Sequence, residues 1–69
     1  MFDQRRFKAQ MILKGETGKS LAEKMGIDES TLYRKIKADG AFTRQEINQL
    51  IVILEIDNPV DIFFAPEIA

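Results

Sequence analysis

The stretch SLAEKMGIDESTLYRKI, Ser20–Ile36, decides how this chain folds. Leu21, Ala22 and Met25 stand at i, i+1 and i+4, the spacing of one buried helical stripe. Gly26 ends that helix, and only Ile27 separates it from Asp28, a side chain suited to cap the next one. So short a connection predicts two helices meeting at a steep angle, the helix-turn-helix arrangement. In the second helix Leu32 and Ile36 are four apart and face inward. At about 100° per residue the opposite face carries Ser30, Arg34 and Lys37, with Tyr33 on its flank. Asp39-Gly40 closes the helix.

Immediately upstream, KGETGKS (Lys14–Ser20) ends like a phosphate-binding loop, G-x-x-x-x-G-K-[ST]. The motif's first glycine falls on Leu13, and Gly15 comes two places late. The loop must also follow a buried strand. The preceding FDQRRFKAQMILK interleaves charged and apolar residues in a way no parallel-sheet strand does. The segment reads instead as a helix stop at Gly15, a short turn, and a helix GKSLAEKM capped by Thr17. The first helix is predicted from about Gln4 to Lys14, capped by Asp3, with Phe7, Met11 and the neighbouring apolar residues inward. Phe2 and Phe7 have the spacing of a hydrophobic staple around that cap.

Downstream, TRQE opens a fourth helix with a capping box, Thr43 at the cap and Glu46 three positions on. Ile47, Leu50, Ile51 and Leu54 form its core face. Asn58-Pro59 is a cap followed by proline at the first helical position, and the short helix PVDIFF stops before Pro66. No segment alternates with period two, so the expected architecture is all-α, five short helices in one domain over residues 1–69, with the helix-turn-helix at about 18–37. Val52, Ile53, Ile62, Phe63 and Phe64 exceed what one helical face needs. Either the last helix completes the core with them, or some of them form a self-association surface.

Size and composition exclude much else. The chain has 69 residues, no cysteine and no histidine. Disulfides and thiolate metal sites are ruled out, and the commonest general base and metal ligand are missing. No converging carboxylate pair is evident, so we expect no enzyme, no metal and no cofactor. No run approaches the ~18 apolar residues of a membrane span. The N-terminus MFDQRRFKAQ lacks a signal peptide's apolar stretch, and a cytoplasmic protein is expected. Net charge is −1 with a pI of about 5.3, but its distribution is uneven. Residues 1–40 carry nine Lys/Arg against six Asp/Glu, a balance of +3; residues 41–69 carry one Arg against five acids, a balance of −4. Contact with a polyanion depends on the face presented more than on the total.

The pattern Ala22, Gly26, Ile27, Leu32 and Ile36, with a helix before it and a capped helix after it, resembles the helix-turn-helix of the lambda repressor and Cro family of phage regulators. The likeness covers residues 3–64, and small repressor-like phage proteins ending in an aromatic pair, as at Phe63-Phe64, look especially similar. It implies a five-helix lambda-repressor-like domain that binds double-stranded DNA, with the first helix of the pair crossing the backbone and the second in the major groove. By that likeness the base-contacting positions are Glu29, Ser30, Tyr33 and Arg34, and the phosphate contacts are Lys19, Lys35, Lys37 and Arg44. Arg34 is the strongest of these, because its fork can pair with guanine O6 and N7. Many family members have glutamine where this chain has Gly18 and Glu29. The first change removes a side chain that braces a phosphate, and the second sets a carboxylate close to DNA.

The expected function is therefore sequence-specific DNA binding by a repressor-like transcriptional regulator, a homodimer on a palindromic operator, with no small-molecule ligand. The alternative from another class is a protein-interaction module, anti-repressor or antitoxin-like, on the same scaffold. The acidic pI, Gly18 and Glu29 favour it. Arg34, Lys35 and Lys37 are then merely a solvated face, and Lys24 reads as a plain solvent lysine under either view.

Overall fold

Residues 1–66 are described in the computed structural model, and three of their five helices begin at a side-chain cap. Helix α1, Gln4–Leu13, starts where the Asp3 carboxylate accepts the Arg6 N–H at 3.0 Å. Phe2 and Phe7 close over that cap with ring centroids 5.2 Å apart, the expected staple. The helix stops at Leu13, one residue before the predicted end, and Gly15 takes the left-handed conformation (φ 68) that turns the chain. A helix, not a strand, thus precedes Gly18-Lys19-Ser20, and the phosphate-loop likeness ends there.

Helix α2 spans Gly18–Met25. The Thr17 hydroxyl accepts the Ser20 N–H and the Ser20 hydroxyl accepts the Thr17 N–H, a reciprocal box in which serine stands where glutamate is usual. Gly26 (φ 74) and the two residues after it lead into α3, Glu29–Lys37. Asp28 has the extended backbone of an N-cap, but its side chain makes no capping hydrogen bond. Helix α4, Arg44–Ile53, carries the predicted Thr43–Glu46 capping box. Helix α5, Pro59–Phe63, begins with proline at its first turn. Among the described residues there is no strand and no helix long and apolar enough to cross a membrane.

The helices share one hydrophobic core. Leu21, Ala22 and Met25 of α2 are buried with Leu32 and Ile36 of α3, and α2 packs on its other side against α4, where Leu50 is fully buried. Ala22 lets α2 and α3 approach closely, since a longer side chain there would hold them apart. Ile47 and Ile51, placed on the core face of α4 with Leu50 and Leu54, are only half-buried. Helix α1 packs against α5. There the rings of Phe2, Phe7, Phe42 and Phe63 all lie within 5.2–6.3 Å of one another, joining four separate segments. The Asp3 N–H donates to the Ile62 carbonyl at 2.7 Å, and the Gln10 amide donates to the Leu54 carbonyl at 2.7 Å. The radius of gyration, 11.2 Å, matches the ~11 Å of a well-packed chain of this length.

Two apolar assignments divide or fail. Ile62 and Phe63 do complete the core, whereas Val52 and Phe64 point to solvent. Ile12 and Leu13, expected inward with Phe7 and Met11, are 79% and 72% exposed. The stripe of α1 is narrow, because only one edge of that helix meets the rest of the molecule.

Candidate nucleic-acid interface

Helix α3 carries its two buried residues, Leu32 and Ile36, on one side and leaves the other open. Ser30, Arg34, Lys37 and Tyr33 border one shallow depression on that open side, which the α3 periodicity anticipated. Glu29 is exposed at the first position of the helix. There the helix dipole favours its carboxylate, so the charge suits the fold while it repels a phosphate. Lys19 and Arg44 are exposed in the first turns of α2 and α4.

Tyr33 reaches from this face of α3 to the start of α2. Its ring lies over Gly18, the buried first residue of α2, so closely that a Cβ on Gly18 would clash with the hydroxyl and lie 2.6 Å from the ring carbon Cζ. Tyr33 remains 39% exposed. It belongs to both the depression on α3 and a groove between α1 and α3 bordered by Lys8, Ile12 and Gly18.

The cations divide into two sets. Arg6 pairs with Asp3, Lys14 with Glu55, Lys24 with Glu16 and Lys35 with Glu46. Among the described residues Arg5, Lys8, Lys19, Arg34, Lys37 and Arg44 have no carboxylate within ion-pair distance. Three of the four residues named as phosphate contacts fall in the unpaired set. Lys35 does not: its ammonium holds both Glu46 oxygens at 2.6 and 2.7 Å, with both side chains largely covered. Its charge is engaged inside the protein, tying α3 to α4. Lys24 is likewise an ion-pair partner, not a plain solvent lysine.

The carboxylates respond to these partners. Burial pushes the Glu46 carboxyl up, but Lys35 and the Thr43 backbone and hydroxyl outweigh it, and the group titrates below its ordinary range. Glu16 is held low first by its hydrogen bond to Lys24 and then by the Ser20 hydroxyl.

Sequence reasoning missed Arg5 and Lys8. Both are exposed on α1, and each borders a groove shared with α3: Arg5 with Ile36 and Lys37, Lys8 with Tyr33 and Ile36. Their signal was present as i, i+3 spacing beside the Phe7–Met11 stripe, which places them together on its flank. That this flank faces α3 depends on how α1 docks. Among the described residues no group of three or more acidic residues converges as a metal site would require. No protein-family model matches the chain, and no curated protein or solved structure is significantly similar to it.

Proposed function

We propose that this chain binds double-stranded DNA in a sequence-specific way, as a small repressor-like regulator of the lambda repressor and Cro type, with α2 and α3 acting as a helix-turn-helix. The observation that carries the reading is the sorting of charge. Four cations are paired within the protein, while Arg34 and Lys37, both on the open face of α3, are left unpaired among the described residues. Unpaired cations flanking one exposed helix suit a phosphate backbone on either side of a groove. In this role Ser30, in the first turn of α3, and Arg34, one turn further on, contact base edges, and Lys19, Lys37 and Arg44 contact phosphates. Arg5 and Lys8 extend the phosphate-facing surface along α1.

A second reading, a protein-interaction module, draws on Val52, Val60 and Phe64, which are exposed apolar residues outside α3. A homodimer fits the first reading, because two copies on a palindrome double a small set of base contacts. For both readings the proposed site of action is the cytoplasm.

Selection of bound duplexes from a random pool, repeated with Arg34→Ala, tests the proposal. The wild type should select related sites whose affinity falls steeply with salt. A palindrome with half-sites about one helical turn apart identifies a dimer. Arg34→Ala should lose about 1–3 kcal/mol of discrimination at one base pair. Weak, salt-insensitive binding without enrichment rejects DNA as the partner, and an unchanged Arg34→Ala profile removes Arg34 from base reading.

A further inference from the structure

We infer that Tyr33 is a positioning residue that grips the DNA backbone rather than a reader of bases, and that Gly18 is the seat holding it to that task. The inference rests on the DNA-binding reading above and assigns Tyr33 a different role within it. A base reader must project from α3 into the groove. The Tyr33 ring instead turns back toward α2, and its hydroxyl touches the first residue of that helix. In a helix-turn-helix the first helix of the pair crosses the backbone, so a hydroxyl at its start meets a phosphate before it meets a base.

Gly18 makes the placement possible. It is buried, and the volume a side chain would take there is filled by the Tyr33 hydroxyl, Cζ and Cε2. Any larger residue at position 18 must push the ring away. The contact also limits how far the ring can swing, so little side-chain freedom is left to lose on binding. The glycine that looked like a lost phosphate brace is then one half of a two-residue device whose other half comes from α3. Lys8 borders the same groove and brings a cation to it, while Glu16, also on its border, is paired with Lys24.

Equilibrium binding should be measured for the wild type, Tyr33→Phe, Tyr33→Ala, Gly18→Ala and the double variant Gly18→Ala/Tyr33→Ala. The probes are the best selected duplex and its single-base-pair variants at several salt concentrations, with thermal unfolding as a check on folding. Tyr33→Phe should weaken every duplex by one common factor, roughly two- to ten-fold, the worth of one hydrogen bond. The ranking of duplexes should not change for either Tyr33 variant. The salt dependence should stay parallel to wild type for Tyr33→Phe, because a neutral hydroxyl releases no counterion. Gly18→Ala should weaken binding when Tyr33 is present and have no further effect when position 33 is alanine. Reordered duplexes with either Tyr33 variant, no loss with Tyr33→Phe, or additive Gly18 and Tyr33 effects would overturn the inference while DNA binding stands. A wild-type protein without salt-dependent affinity for any duplex overturns the DNA-binding reading, and this inference with it.

Discussion

Two regions of the molecule are built on different physics. In one, the rings of Phe2, Phe7, Phe42 and Phe63 interlock, and the adjacent backbone is tied by long-range hydrogen bonds from Asp3 and Phe2. In the other, α2 and α3 pack through small and aliphatic residues, and α3 turns an open polar face outward. Aromatic contact area is large per residue, so a few rings can close the ends of a short chain. The helix pair instead needs close approach on one side and free cations on the other. A domain of 69 residues can thus hold its fold through one cluster of rings and leave the charged face of α3 uncommitted.

The comparison breaks first at Phe7, which is fully buried and central to the aromatic cluster. Phe7→Ala should cost about 3–5 kcal/mol in denaturant unfolding. A loss well under 1 kcal/mol would show that the cluster does not hold the fold together.

A smaller effect comes from Glu46, which joins α3 to α4. Its folded carboxyl lies below the ordinary value of 4.5. Its contribution is therefore complete above that pH and is lost as pH falls through the lowered folded value. Glu46→Gln retains a side chain able to close the capping box while removing the charge that Lys35 holds. It should cost about 1 kcal/mol at neutral pH, between the limits for exposed and buried pairs. It should also make the acid-side decline of stability shallower than in the wild type. An unchanged acid limb in a pH series of unfolding curves would remove this pair from the account.

The smallest effect sharpens the contrast between paired and unpaired cations. Lys37→Ala should lower the slope of log K against log salt by about one contact's worth, near 0.9. Lys24→Ala, which loses only a partner of Glu16, should leave that slope unchanged. Equal slopes for the two variants would show that pairing within the protein does not select the cations that meet DNA.

Local chemistry was legible in the sequence because it acts over three or four residues. The Asp3, Thr17 and Thr43 caps, the left-handed glycines at 15 and 26, the capping box at Glu46 and the staple of Phe2 on Phe7 all depend on near neighbours, and each stands where expected. The open face of α3 follows from periodicity in the same way. Asp28 and Asn58 occupy cap positions without making the side-chain bond, since a backbone turn can form without it.

What no short-range rule could supply was the choice of partners across the fold. Lys35 and Lys37 are two residues apart on one helix, yet Lys35 meets Glu46 of α4 and Lys37 meets no carboxylate among the described residues. Phe63 is buried beside Phe64, which is exposed, and Ile12 and Leu13 face solvent although they continue an apolar run. Tyr33 finds its seat on Gly18, fifteen positions earlier in the chain. Each of these outcomes depends on which helices dock and at what distance, and docking is set by the shape of the whole core.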